Sequence, residues 1–203
     1  MKKTAARAKE RARRGATIAH ASARGKERSR RGAKTPHGRA TARAVVCAII
    51  TVSDTRGPHD DRSGDLAVGL IERAGHRVGS RDWTRDDPAA IRRSLRAALA
   101  KRSIDVVILT GGTGVAPRDR TPEAVAPLLD RTLEGFGELF RARSYEQIGT
   151  AAWLSRAGAG IARGRVVVYL PGSPAAVELA LTEVLLPPIT HLLLLLGRVS
   201  RSE

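Results

Sequence analysis

The residues best suited to chemistry lie between Ile104 and Pro122, in the stretch IDVVILTGGTGVAPRDRTP. Thr110-Gly111-Gly112-Thr113-Gly114 places three glycines and two hydroxyls in one turn. Glycine has no Cβ, so its backbone takes positive φ and its N–H groups can approach a ligand closely. Arg118, Asp119 and Arg120 follow. Thr121-Pro122-Glu123-Ala124 then reads as a helix start, with a hydroxyl N-cap, proline at the first helical position and an acid in the first turn. This order of parts suits an anionic ligand. A glycine turn by itself is a weak signal, since many chains use one merely to change direction. The dinucleotide fingerprint G-x-G-x-x-G is absent, as is the P-loop with its Lys-Ser/Thr ending, which excludes the standard Rossmann and Walker nucleotide sites.

Those groups need elements to hold them. Ile104 to Leu109 is an apolar run of the kind that forms a fully buried parallel strand. Ala44 to Val52, AVVCAIITV, and Arg165 to Leu170, RVVVYL, read the same way. The first ends in Ser53-Asp54-Thr55 and the last in Pro171-Gly172-Ser173-Pro174. In open α/β sheets ligands bind beyond the carboxyl ends of the strands, so three such loops on one edge would form one pocket. Helical spacing marks Ser63 to Gly75, a helix from Pro88 with Ile91, Leu95 and Leu99 inward, a short helix to Leu129, and Gly135 to Gln147. Ala175 to Leu185 and Pro188 to Leu196 complete the helices. His76 to Gly79 is expected as a short second strand, Asp82 to Asp87 as a charged loop, and Gly158 with Gly160 as a turn. Strands alternate with helices, which predicts a three-layer α/β/α fold with a mainly parallel sheet.

The formal charge of +16 is uneven: residues 1–42 carry fourteen Lys or Arg against Glu10 and Glu27, so twelve of the sixteen surplus charges lie there. With few large apolar residues, that segment reads as a disordered basic extension, and 43–203 as the globular domain. A solvated extension is preferred over nonspecific nucleic-acid binding, an anionic membrane surface or a transit peptide. Cys47, the sole cysteine, sits in an apolar strand and reads as a buried structural thiol. Leu185 to Leu196 is interrupted by Pro187, Pro188 and His191 and is too short for a membrane span. With no secretory signal visible, a soluble, cytoplasmic-type protein without specific nucleic-acid partners is expected.

Six motifs in order give the chain a resemblance: TVSDT at 51–55, DRSGD at 61–65, LTGGTG at 109–114, PRDRTPEA at 117–124, LSR at 154–156 and LPGSP at 170–174. Together they resemble the MoaB/Mog family of molybdenum-cofactor biosynthesis proteins, whose relatives include the G domains of plant Cnx and of gephyrin. The resemblance covers about residues 44–197 and implies a trimeric or hexameric molybdopterin-binding domain. For the Mog and G-domain members it implies transfer of AMP from Mg-ATP to the terminal phosphate of molybdopterin, releasing pyrophosphate. Their two essential acids, which also hold the metal, fall on Asp119 and Asp86. Relatives read Pro-Asp-Glu where this chain has Arg85-Asp86-Asp87, so Asp87 stands as the alternative second acid. Carboxylates are hard oxygen ligands suited to Mg²⁺. For the substrates, the resemblance implies contacts from Ser53, Asp54, Gly111, Gly112, Thr113, Gly114, Ser155, Arg156, Pro171, Gly172 and Ser173, with Arg118 and Arg156 offsetting anionic charge. Molybdopterin synthase or a molybdate-insertion protein are the further partners it suggests. A non-catalytic carrier or scaffold of the MoaB type shares the same fold and pocket and remains the second reading.

Overall fold

The computed structural model describes residues 43–199 apart from Arg56; the basic extension read at 1–42 lies outside the described residues. Six strands form one sheet: β1 (Val46–Val52), β2 (Arg77–Thr84), β3 (Val106–Thr110), β4 (Arg131–Thr132), β5 (Gly158–Ala162) and β6 (Arg165–Leu170). Their order is β2-β1-β3-β6-β5-β4, parallel across β2, β1, β3 and β6 and antiparallel across β6, β5 and β4. The helices are α1 (Arg62–Arg73), α2 (Pro88–Ala100), α3 (Thr121–Val125), α4 (Glu134–Ile148), α5 (Pro174–Leu179) and α6 (Ile189–Leu195). A π turn over Ala180–Leu185 continues α5.

Alternation along the central strands builds two cores. Cys47, Ile49, Val106, Ile108, Val166 and Val168 face one side, where Ile71 of α1, Phe140 of α4, Val177 of α5 and Leu193 of α6 cover them. Ala48, Ile50, Val107, Leu109 and Val167 face the other, beneath Ile91, Leu95 and Leu99 of α2 and Val125 of α3. This is the expected three-layer α/β/α architecture. A strand buried on both faces must be apolar at every position, which is why β1, β3 and β6 are continuous apolar runs. Each fully buried Val, Leu or Ile contributes about 1.5–3 kcal/mol. Burial also pushes the Cys47 thiol up to about 12, so it is a packing residue and not a nucleophile.

The parallel register aligns the strand ends that matter. Thr51 pairs with Thr110, and Thr110 with Leu170, so three loops leave the sheet side by side.

Three expectations are corrected and one strand is added. The second strand runs to Thr84, taking Asp82, Trp83 and Thr84 out of the expected loop; as an edge strand it tolerates Arg77, Arg81 and Asp82 on its exposed positions. Gly158 and Gly160 belong to β5, not to a turn. Gly158 lies opposite Tyr169, and a Cβ there would overlap the Tyr169 hydroxyl. The two-residue β4 was not anticipated. Thr121 is not an N-cap: Arg120 holds that position with no side-chain cap, and Thr121 lies inside α3.

Among the described residues no single helix is long and apolar enough to cross a membrane. The segments Pro174–Leu185 and Ile189–Leu195 have the length and composition only as a pair bent by 56°. Their Val177, Leu181, Ile189 and Leu193 are buried in the core.

Candidate active site

The loops after β1, β3 and β6 enclose a cavity of about 300 Å³. Ser53, Gly111, Gly112, Asp119, Gly172 and Ser173 line it, together with Arg118. Six wall residues had no role assigned from sequence: Thr51, Val52, Thr55, Asp61, Ser63 and Thr110. Thr51 is the penultimate residue of β1 and Thr110 the last of β3, both at strand ends that lead into polar loops, so strand-end position is the signal that could have marked them.

Asp61 is the N-cap of α1, with Oδ1 accepting from the Gly64 N–H at 2.9 Å. Its Oδ2 accepts from the Thr51 hydroxyl at 2.5 Å and from Arg81 at 2.8 Å. Burial pushes this carboxyl up, but the bonds from Thr51, Arg81 and Gly64 prevail and hold it below its ordinary value. Asp61 is therefore a satisfied anion that fixes the floor of the cavity. Ser63 donates to the Gly172 carbonyl at 2.8 Å and so ties α1 to the loop after β6. Ser173 caps α5, accepting from Ala176 N–H at 3.3 Å.

The glycine loop is folded around acids. Gly111 and Gly112 both take positive φ, +111° and +62°. A Cβ on Gly112 would stand 2.5 Å from both the Asp86 carboxylate and the Thr121 hydroxyl. Thr121 donates that hydroxyl to the Gly111 carbonyl at 2.8 Å, and its own N–H to the Gly112 carbonyl at 3.0 Å. This inward bond is the work the threonine does in place of capping.

Asp86 and Asp119 both lie against this loop, Asp86 at Gly112 and Asp119 at Gly114, and of the two only Asp119 lines a cavity. Asp86 accepts from the Arg120 N–H at 3.1 Å, while its own N–H donates to Asp54 at 3.0 Å. Asp54 is thus exposed and holds the Asp86 backbone; it does not line the cavity. Burial raises the Asp86 carboxyl above its ordinary value; the Arg120 N–H works against this, and the neighbouring charges of Asp119 and Asp54 add to it. Asp87, the alternative second acid, instead caps α2 by accepting from Ala90 at 2.7 Å. Asp119 accepts from the Ala116 N–H at 2.9 Å and lies both on the main cavity and on a neighbouring one of about 420 Å³.

Arg156 borders that second cavity with Arg120, Glu123 and Pro117. Its N–H groups are directed into the protein: to the Gly114 carbonyl at 2.8 Å, the Asp119 carbonyl at 2.6 Å and the Glu123 carboxylate. Its backbone N–H reaches the Thr113 carbonyl at 2.9 Å. Arg156 therefore clamps the loop that carries Asp119. Thr113 is buried, and the Ser155 hydroxyl accepts from Ala157 N–H at 3.3 Å. Thr113, Gly114, Ser155 and Pro171 are not part of the main cavity wall.

Among the described residues no three His, Cys, Asp or Glu side chains converge as a metal cage. A pair of carboxylates, one of them raised by burial and like charge, fits a hard cation that takes its remaining ligands from phosphate and water.

A family described as "Probable molybdopterin binding domain" matches residues 48–191. Molybdenum cofactor biosynthesis protein B of Bacillus subtilis is 45% identical over 148 residues, covering 72% of this chain and 87% of that protein. A crystal structure of a molybdenum cofactor biosynthesis protein B superposes with a TM-score of 0.74 at 45% identity, over 76% of this chain and 97% of that one. The molybdopterin biosynthesis Mog protein of Mycobacterium ulcerans superposes at 0.68 with 29% identity, over 75% and 99%.

Proposed function

The chain belongs to the MoaB/Mog family of molybdopterin-binding proteins of molybdenum cofactor biosynthesis, and on that premise we propose that it adenylylates molybdopterin. A terminal phosphate oxygen of molybdopterin attacks the α-phosphorus of ATP. The bond to the β-phosphate oxygen breaks, and pyrophosphate leaves with its electrons. Such a step joins two anions, so it needs positive charge and positioning and no covalent nucleophile.

The observation that carries this reading is the placement of Asp86 and Asp119 against the glycine loop, at Gly112 and Gly114, beside a cavity built from three strand-end loops. These two acids would hold Mg²⁺, which would supply positive charge against the phosphate oxygens. The backbone of Gly111 and Gly112 borders the space where phosphate oxygens would sit, and Arg118 offsets charge from the rim. Arg156 acts by fixing the Asp119 loop, and Asp54 by fixing the backbone of Asp86. Assembly into trimers or hexamers, and contact with molybdopterin synthase or a molybdate-insertion protein, belong to the same proposal.

One observation favours the second reading, a non-catalytic molybdopterin carrier or scaffold. The chain is 45% identical to a B-type protein and 29% identical to a Mog protein. Purified protein with molybdopterin, ATP and Mg²⁺, followed by chromatography, separates the two. Adenylyl-molybdopterin formed by the wild type, and lost in Asp119→Ala and Asp86→Ala while molybdopterin still binds, supports the enzyme. Tight molybdopterin binding without product overturns it in favour of the carrier.

A further inference from the structure

Thr110 closes β3 at the floor of the cavity and is 1% exposed. Among the described residues its Oγ1 has no hydrogen-bond partner. The contrast with its neighbour is informative. Thr51, its register partner on β1, donates to Asp61 at 2.5 Å. Thr51 is thereby engaged with its own protein, and Thr110 is not. A buried hydroxyl left unpaired destabilises a fold by about 1–3 kcal/mol, whereas an isosteric methyl at the same position carries no such penalty.

We propose that the Thr110 hydroxyl is a ligand-contacting group that donates a hydrogen bond to a phosphoryl oxygen of the bound substrate. Its surroundings define that chemistry. Gly111 and Gly112 follow it directly and bring backbone to the cavity, and Ser173 and Arg118 stand on the wall. The Asp61 carboxylate on the same wall is matched by Arg81 at 2.8 Å, so it leaves less bare negative charge against an anion. Asp119 is the other acid there and would act with its cation. Molybdopterin and ATP both carry phosphoryl oxygens, and the inference rests on the reading that this cavity binds one of them.

The test compares Thr110→Val and Thr110→Ser with wild type by titrating molybdopterin, dephosphomolybdopterin and Mg-ATP separately. Thermal melts of the free proteins accompany the titrations. Thr110→Val should weaken the phosphorylated ligand that sits on this floor by about tenfold, the size of one hydrogen bond to a charged group. Thr110→Ser should bind like wild type. Thr110→Val should also melt at the same temperature or higher, which a merely structural hydroxyl would not allow. Whether molybdopterin or ATP shows the loss identifies the source of the phosphoryl group. Unchanged affinity of Thr110→Val for both overturns the inference, as does an equal loss for dephosphomolybdopterin. Binding is read without turnover, so failure of the transferase reading, seen as a wild type without product, is a separate outcome.

Discussion

At the amino ends of β1 and β3, Asp105 is fully buried and every neighbour serves it. Arg43 reaches both its oxygens at 2.7 Å, Arg198 donates at 3.0 Å, and the Val46 N–H donates at 3.1 Å. Burial pushes this carboxyl up, but those bonds outweigh it and hold it below its ordinary value. At the carboxyl ends of the same strands, Asp86 is raised, Thr110 is unpartnered, and two glycines take positive φ. Both ends are made of the same two strands, so the difference is not one of fold. One end satisfies its buried carboxylate internally, with Arg43 and Arg198 both bound to it. The other leaves a buried hydroxyl without a partner and an acid raised by burial, the pattern expected of a functional site.

Asp105→Asn leaves two arginines without their buried partner and should lower unfolding stability by about 3 kcal/mol, read by urea denaturation. Transferase activity per folded molecule should not change. Loss of activity without loss of stability would show that the lower edge is not merely an anchor. At the other end, Asp119→Ala should cut adenylyl transfer by about a hundredfold while melting within a few degrees of wild type. Gly112→Ala comes next: a Cβ pressed against Asp86 and Thr121 at φ +62° should displace the acid and lower transfer by about tenfold.

The pH dependence of the two acids has opposite sign. Asp105 is depressed in the fold, so its contribution is complete above the unfolded value of about 3.9 and is lost as pH falls through the folded value. Asp86 is raised, so its ionised form is disfavoured by the fold. Above the raised value Asp86→Asn should therefore be at least as stable as wild type. Melting curves from pH 3 to 8 on both variants check this, and a destabilised Asp86→Asn at neutral pH would remove the contrast. The smallest expected effect is that of deleting residues 1–42. If that segment is a solvated extension outside the domain, transfer rate and oligomer size stay unchanged, and only salt-sensitive binding to DNA falls.

How far the sequence was legible depends on what each residue answers to. The central strands were plain because burial on both faces demands apolar residues at every position. The edge strand β2 was cut short because its outer positions carry Arg77, Arg81 and Asp82, which look like loop. In β5, glycine reflects the bulk of Tyr169 on the neighbouring strand, a cross-strand contact with no local signature. The motif DRSGD was seen, but the role of its first acid was not. Arg81, which holds Asp61, lies twenty residues away on another element.

The sequence alone therefore determined the three-layer fold, the three loops on one edge and the glycine turn beside Asp119. These follow from local periodicity and from the rule that parallel strands present their carboxyl ends together. Tertiary structure decided which polar groups are used up and which remain available. It made Arg156 and Asp54 supports for the two acids, set Asp86 rather than Asp87 against the glycine loop, and left Thr110 unpaired while its neighbour Thr51 was bound. Hydrogen-bond satisfaction is a property of contacts between distant segments, and no spacing along a single chain encodes it.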